Sequence, residues 1–192
     1  MFRLIILTTA ALLTLTFGAT VVCAQSPSLA QETQARGYWI DPATNLMWAS
    51  KDNGENLKWK RAAKYCGDLK LAGYSDWRLA SLEELQGIYD KNAESPGLMG
   101  DKYYHNVSPS TWHVKGGLFL TGSNWTSNRR LDDRGKPSGY AWRFDFNEGR
   151  PFDGDEESFT MGKRALCVRA SSANTPNKNA TAQRTTHNGD TQ

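Results

Sequence analysis

Cysteine is scarce in this chain, and so are long hydrophobic runs. Three cysteines among 192 residues exclude a small scaffold held together by several disulfides. The one long apolar run lies in residues 1–24, after Arg3 and before the small residue Ala24, and this layout is typical of a cleaved signal peptide. We therefore expect an exported protein, either periplasmic or extracellular.

The predicted signal peptide determines which cysteines remain in the mature chain. Cys23 leaves with the predicted signal peptide, unless the residues before it act as a lipoprotein processing site, in which case Cys23 would carry a lipid anchor. Cys66 and Cys167 stay in the mature chain. Because exported proteins fold in an oxidising compartment, these two cysteines are predicted to form a disulfide with each other.

A large excess of charge of either sign is also missing. Cleavage of residues 1–24 removes Arg3 and leaves 22 basic against 20 acidic side chains, a net charge of +2. Nucleic-acid-binding domains are usually strongly basic, so this balance argues against a DNA or RNA partner. After cleavage, no other apolar run is long enough to form a transmembrane segment.

Residues suited to catalysis or metal binding are few. His105 and His113 are eight positions apart without a cysteine partner, so we predict loop histidines and no zinc site. Residues 153–157 contain four acidic side chains but lack the spacing of an EF-hand, which favours a solvated loop over a calcium site. We predict no cofactor and no catalytic residue.

Composition divides the chain into four parts, the first of which is the signal peptide. Residues 25–36 are polar without apolar periodicity and are predicted to be a linker. Residues 37–170 contain all seven tryptophans and mix helix and strand patterns, which predicts one α+β domain. Residues 171–192 have no aliphatic side chain larger than alanine, so we expect a disordered tail.

Two local patterns open the predicted domain. Residues 38–48 predict a β-hairpin around the turn-forming residues 41–45, and residues 57–71 have a helical period with Asn56 as the predicted N-cap. The apolar stripe of this helix includes Cys66. Another face carries three basic side chains, namely Lys60, Arg61 and Lys64. This face is a candidate binding surface for an acidic glycan or another polyanion, with the wet side of an amphipathic helix as the alternative.

The next stretch connects two predicted helices. Gly73 is predicted to close the first helix in a left-handed conformation. Ser81 and Glu84 have the spacing of a capping box, which predicts the start of the second helix. Between them, Arg78 is predicted to lie in a buried crossing, where it would need an acidic partner such as Asp76.

Strand patterns dominate the second half of the domain. Residues 91–117 mix glycine and proline with scattered aromatics, which predicts a long irregular connection. Residues 140–147 have an aromatic side chain at every second position, so the aromatics are expected to face the core and the intervening residues to face solvent or a ligand. The candidate contacts on and beside this polar face are Arg129, Arg143, Asp145 and Asn147. A surface ion pair between Arg143 and Asp145 is the alternative.

Several motifs together resemble one family. In chain order they are Asn-Leu-Met-Trp at 45–48, Ala-Lys-Tyr-Cys at 63–66, Gly-Tyr-Ser-Asp-Trp-Arg-Leu at 73–79, Trp-Thr-Ser at 125–127 and Cys-Val-Arg at 167–169. Over residues 37–170 the chain resembles the Lcl C-terminal domain family, although Ala80 stands where relatives often have proline. The resemblance implies a fold similar to C-type lectins and formylglycine-generating enzymes, with two helices packed on a small twisted antiparallel sheet with long loops.

The resemblance also has implications for function. The family occurs in exported bacterial proteins and its name-giving member is a cell-surface adhesin, which implies a binding or adhesion module without a catalytic residue set. A structural, envelope-associated domain without a small ligand is the alternative. Formylglycine-generating enzymes use a cysteine pair to hold copper. Since Cys66 and Cys167 are predicted to be bonded to each other, enzyme chemistry of that class is a third, disfavoured hypothesis.

Overall fold

The computed structural model describes residues 26–100 and 106–171. The predicted signal peptide, nearly all of the predicted tail and His105 lie outside the described residues. In chain order the elements are α1 Leu29–Arg36, β1 Tyr38–Ile40, β2 Leu46–Ala49, α2 Trp59–Asp68, β3 Arg78–Leu79, α3 Leu82–Gly87, β4 Ser95–Met99, β5 Ser108–Trp112, a 3-10 turn at Lys115–Gly117, β6 Ser123–Leu131, β7 Pro137–Asp145, β8 Arg150–Glu156, β9 Lys163–Arg164 and β10 Cys167–Ala170. The predicted α+β class and the predicted hairpin of β1 and β2 are confirmed.

The strands form small sheets. One sheet has the order β1-β2-β10-β3 and is antiparallel throughout. A second has the order β8-β7-β6-β9, in which β6 and β9 run parallel and the other pairs antiparallel. Strands β4 and β5 form a separate antiparallel pair. The resemblance implied two helices on one sheet, whereas the described residues contain three α-helices and three sheets.

Two segments that were predicted to be irregular contain strands. Residues 91–117 include the β4 and β5 pair, and most of the predicted acidic loop at 153–157 belongs to β8. Pro96 and Pro109 lie in the two-stranded sheet, and β4 also forms a bridge to Leu120, whose carbonyl oxygen accepts the N–H of Leu98 at 2.9 Å. The proline and glycine content therefore led to the prediction of an irregular connection where the structure has an antiparallel strand pair.

The sheet containing β2 and β10 separates two hydrophobic cores. Trp48 and Val168 belong to the first core, together with the buried ring of Phe144. Their strand neighbours Met47 and Cys167 belong to the second core. Successive residues of a strand point to opposite faces, so this sheet is buried on both sides. The second core is the one on which α2 packs.

The disulfide joins α2 to the last strand. Cys66 of α2 is fully buried and is bonded to Cys167 of β10, with 5.3 Å between the Cα atoms, so the predicted pairing is confirmed. The two cysteines are 101 positions apart in the chain, a separation for which the loop-entropy model gives a stabilisation of about 4–5 kcal/mol. The bond fixes one face of α2 against the sheet.

The N-terminus of α2 differs from the prediction. The helix has Lys58 as its N-cap, and the side chain of Lys58 makes no capping hydrogen bond. Asn56, the predicted cap, instead accepts hydrogen bonds from the backbone N–H of Gly162, at 3.0 Å, and from the guanidinium of Arg164. A long-range contact with the segment around β9 therefore takes the place of local capping.

The turn after α2 differs as well. Gly73 has the predicted positive φ, 80°, but it follows Ala72, whose φ is 55°. The backbone groups of Leu71 and Tyr74 bond to each other across these two residues, at 3.1 and 3.0 Å, so Gly73 forms a tight turn and does not close the helix. The helix has already ended, because Leu69 is extended and packs against the second core.

The predicted capping box of α3 is confirmed. The Ser81 hydroxyl accepts the N–H of Glu84 at 3.2 Å, and the Glu84 carboxylate accepts the N–H of Ser81 at 2.8 Å. Arg78 is half exposed, contrary to the prediction, and donates to Glu84 at 2.7 and 2.6 Å. Asp76, named as one acidic partner for Arg78, instead accepts hydrogen bonds from Arg169 at 2.7 and 3.1 Å. Glu84 therefore joins β3 to the first turn of α3.

Strand β7 does not separate a core face from a solvent face as predicted. Phe144 and Phe146 are buried as expected, but Ala141 is fully buried although it was assigned to the polar face. Tyr140 was assigned to the core face and is 36% exposed. The pairing with β8 shifts register between Ala141 and Arg143, and both cores contact this strand, so a simple alternation does not hold.

The prediction of a linker over residues 25–36 is wrong for residues 29–36, which form α1. A capping box of Ser28 and Gln31 begins the helix, and Gly37 ends it in the left-handed conformation. The Thr33 hydroxyl donates a hydrogen bond to the carbonyl oxygen of Gly116 at 2.7 Å. Polar contacts of this kind hold the helix in place. Its sequence therefore does not need the apolar periodicity from which helices were predicted.

Candidate functional site

An open groove of about 740 Å³ lies between α2 and the strands β7 and β8. The helix side contributes Lys58, Lys60, Arg61 and Lys64. The strand side contributes Ser138, Gly139, Tyr140, Glu156, Glu157 and Ser158. We call this surface the α2 groove. It contains all three basic residues that the sequence proposed on the helix.

The burial of α2 explains why its cations face the groove. Ala62 and Cys66, one turn apart, are both fully buried against the second core. Residues three or four positions apart lie on one face of a helix, so Lys60 and Lys64 are neighbours on the exposed side, with Arg61 beside them. All three are exposed. The disulfide thus holds the cationic face outward.

The start of α2 is fixed to β6 and to the residue that follows β8. The backbone N–H of Trp59 donates to the carbonyl oxygen of Glu157 at 3.0 Å, and its indole N–H donates to the carbonyl oxygen of Thr126 at 2.8 Å. Arg129 bridges the same junction, with its guanidinium 4.9 Å from the centre of the Trp59 ring and 2.6 Å from the carboxylate of Glu157. Arg129, a predicted ligand contact, therefore braces the groove.

The groove carries more positive than negative charge after internal pairs are counted. Lys64 pairs with Asp68 at 2.6 Å in an exposed contact, and Glu157 pairs with Arg129. No ion pair within the described ranges 26–100 and 106–171 involves the remaining cations of the groove, which are Lys58, Lys60 and Arg61. Three cations are thus available to an anionic ligand.

Sequence reasoning missed part of this groove. Lys58 was overlooked because Asn56 was taken as the helix cap, although Lys58 and Arg61 have the three-residue spacing of one helix face. Tyr140 was assigned to the core by alternation, and Glu156 to an acidic loop. No short-range pattern could bring β8 next to α2, since about a hundred residues of chain separate them.

The predicted residues of the β7 face lie in a different place. Arg143, Asp145 and Asn147 line a cleft of about 590 Å³ between the β4 and β5 pair and the end of β7, which we call the β7 cleft. Arg129 is not among its lining residues. Three of the four predicted contacts therefore line the β7 cleft, while Arg129 lies against Trp59 and Glu157 and lines neither surface.

The side chains of the β7 cleft are engaged in local contacts. The Arg143 guanidinium lies 3.8 Å from the centre of the Phe152 ring and 3.8 Å from the Asp145 carboxylate. Asp145 also accepts the backbone N–H groups of Asn147 and Glu148, at 2.9 and 3.2 Å. The geometry of Arg143 and Asp145 corresponds to the ion pair that was the alternative to a ligand contact. The turn after β7 adds backbone donors to the carboxylate of Asp145.

Asp52 is a buried carboxylate outside the α2 groove. Asp52 is 3% exposed and accepts the N–H and hydroxyl of Thr121, at 2.6 and 2.8 Å, and the N–H of Gly54 at 2.9 Å. Burial raises the pKa of Asp52, against the opposing effect of these donors and of the nearby Arg164. The contacts link the segment after β2 to the segment before β6, which is a structural role.

Metal ligands do not cluster in the described part of the chain. No group of three His, Cys, Asp or Glu side chains there lies close enough to hold a metal ion. His113 has Nδ1 2.9 Å from the carbonyl oxygen of Ala93, and Cys66 and Cys167 are bonded to each other. The helices of this part are all too short or too polar to cross a membrane.

The fold and the groove together define a small α+β domain, closed by a buried disulfide, with an open cationic surface. The profile of the Lcl C-terminal domain family matches residues 37–169, and the chain belongs to that family. A comparison with curated proteins finds no match.

Proposed function

We propose that this protein is an exported, non-catalytic binding module that holds an acidic glycan or another polyanion in the α2 groove. The observation that carries the proposal is the presence of three cations, Lys58, Lys60 and Arg61, on one wall of an open groove without an ion pair in the described residues. Charge complementarity of this kind attracts an anionic ligand and orients it.

The two walls supply different interactions. The basic side chains offer charge-assisted hydrogen bonds to carboxylate or sulfate oxygens. Tyr140 offers a partly exposed ring, which suits the apolar face of a sugar, and its hydroxyl suits a polar substituent. An open groove with these features fits a chain-like ligand better than a small enclosed one.

The β7 cleft is the less favourable site for a polyanion. The guanidinium of Arg143 is placed beside the carboxylate of Asp145, and the carboxylate of Glu148 lies on the same surface. The lining of the β7 cleft also includes Lys163, but an anionic ligand there would meet acidic side chains, whereas the helix wall of the α2 groove has none. The contrast favours α2 as the binding surface.

A role outside the cytoplasm fits the disulfide. The bond between Cys66 and Cys167 is buried and is consistent with an exported protein. Export through removal of residues 1–24 remains part of the proposal. Membership in the Lcl C-terminal domain family supports a binding or adhesion role for the same reason that the resemblance implied one.

The proposal is tested by titration of the purified protein with heparin, a sulfated polysaccharide used as the polyanion. Lys60→Ala/Arg61→Ala should weaken binding about 30-fold, because two charge-assisted contacts of about 1 kcal/mol each are lost. Arg143→Ala should leave the affinity unchanged.

The control keeps the same loss of charge at other exposed positions. Lys70→Ala/Lys91→Ala removes two cations that do not line the α2 groove. If this control weakens binding as much as the α2 variant does, the attraction is only a matter of net charge and the groove is not the site. If no acidic polymer binds the wild-type protein, the structural-domain hypothesis replaces this one.

A further inference from the structure

The walls of the α2 groove have opposite character. Lys58, Lys60 and Arg61 lie on the helix side, while Glu156 lies on the strand side. Glu157, the other carboxylate of that side, is paired with Arg129 at 2.6 Å. The groove is therefore positive along α2 and keeps one negative group opposite.

Glu156 lacks a cationic partner in the described residues. Its carboxylate accepts a hydrogen bond from the hydroxyl of Ser158 at 3.2 Å, and it forms no ion pair within those residues. The residue is exposed, and its backbone lies opposite Tyr140 in the pairing of β8 with β7. A carboxylate in this position is available to a donor on a ligand.

A ligand that is anionic on every side would match only one wall. Its acidic groups would bond to the lysines and the arginine, but a second acidic group facing the strands would be repelled by Glu156. A ligand that carries an ammonium group on that side would gain a contact. The charges thus select for two groups of opposite sign on one ligand unit.

We propose that the α2 groove recognises a zwitterionic saccharide, in which an acidic group binds the α2 wall and a free amino group binds Glu156. This inference rests on the function proposed above and narrows its ligand class. The exposed ring of Tyr140, which lies beside Glu156 across the strand pair, provides the apolar surface that favours a sugar ring.

The experiment compares two heparin derivatives that differ in one group. Both have lost their N-sulfates and keep their other sulfates, but one has free amines and the other has N-acetyl groups. Without the contact to Glu156, the added positive charge of the amine form would weaken its binding to a cationic groove. The inference predicts the reverse, a preference of about threefold to fivefold for the amine form.

Substitution of Glu156 shows whether its carboxylate causes the preference for the amine form. Glu156→Gln should abolish the preference, and it should strengthen binding of the acetylated form because a repulsive charge is lost. Asp153→Asn, on the same strand and outside the groove lining, should keep the preference. Equal binding of the two derivatives, or a preference that survives Glu156→Gln, overturns the inference and leaves the proposed function intact.

Two further outcomes are distinct. Failure of both derivatives and of intact heparin to bind would overturn the proposed function and this inference together. Binding to vesicles that contain phosphatidylethanolamine, in the absence of saccharide affinity, would show that the zwitterion is a lipid headgroup and would overturn the assignment to a saccharide.

Discussion

The α2 groove and the β7 cleft both contain charged side chains that were proposed from the sequence, yet the surroundings of these charges differ. On α2, the disulfide and the apolar stripe hold one side of the helix in the core. Lys60 and Arg61 stay exposed without an ion pair in the described residues, whereas Lys64 pairs with Asp68. Around β7, the charges lie next to acidic and aromatic neighbours that contact them. A charged residue is a better candidate contact when its own element leaves it without a local partner.

The largest expected effect is on the element that forms the helix wall. Cys66→Ala/Cys167→Ala should lower the free energy of unfolding by about 3–5 kcal/mol, because the cross-link no longer restricts the unfolded chain. Urea denaturation of the purified variant measures the loss. Heparin affinity should fall as well, since α2 loses its attachment to β10.

One result would contradict the predicted loss of heparin affinity in the cysteine double variant. If the double variant keeps wild-type affinity at a temperature where it is folded, the bond stabilises the domain without positioning the groove. Reduction of the wild-type protein by dithiothreitol under mild denaturation should reproduce the loss of stability, which provides an independent control for the cavity that the two substitutions leave.

The next largest effect is expected at Arg129, and it distinguishes a structural role of this residue from a direct contact with the ligand. Arg129→Ala removes the pair with Glu157 and the stacking on Trp59, so stability should fall by about 2 kcal/mol. It also leaves Glu157 as an uncompensated carboxylate in the groove, which should weaken heparin binding about fivefold. Calorimetric titration and thermal denaturation measure the two effects.

A second substitution decides between the two roles of Arg129. Arg129→Ala/Glu157→Gln should recover most of the affinity while its stability stays low, because the repulsive carboxylate is gone. If affinity does not recover, Arg129 contacts the ligand directly, and the original assignment of this residue to the binding site is correct.

The smallest effect concerns Glu84, which lines neither the α2 groove nor the β7 cleft. Burial would raise the pKa of Glu84, but hydrogen bonds from Arg78 and from the N–H of Ser81 outweigh it and hold the pKa below its usual value. This carboxylate therefore contributes stability above the unfolded pKa of about 4.3, and the contribution is lost as the pH falls through the lower folded value.

Glu84→Gln tests this pH dependence. At pH 7 the variant should be less stable by about 1 kcal/mol, and the difference from wild type should shrink as the pH falls below about 4. Urea denaturation at several pH values measures it. Heparin affinity at pH 7 should not change, and a difference in stability that is constant with pH would show that the ion pair with Arg78 contributes nothing.

Features encoded by neighbouring residues could be predicted from the sequence. The capping box of Ser81 and Glu84, the first hairpin and the basic face of α2 depend on spacings of a few positions. The pairing of Cys66 with Cys167 followed from their number and the predicted export of the protein. Each of these predictions needed no knowledge of distant contacts.

Features that depend on distant partners could not be predicted. Asn56 has the residue type of a helix cap, but a bond to Arg164 decides its role. In the sequence Arg129 resembles a free surface cation, because its partner Glu157, the residue after β8, is 28 positions away. The opposite wall of the α2 groove was missed for the same reason, since the register shift in β7 that accompanies the exposure of Tyr140 has no local signature.

The most direct test of the central claim is to map which backbone amides respond to a bound polyanion. Amide chemical shifts of the isotope-labelled protein are recorded during titration with a heparin-derived oligosaccharide. Binding in the α2 groove predicts that the largest changes fall in residues 58–64, 138–140 and 156–158, with little change in residues 143–148. Changes confined to residues 143–148 would contradict it, because the ligand would then lie in the β7 cleft and not in the α2 groove.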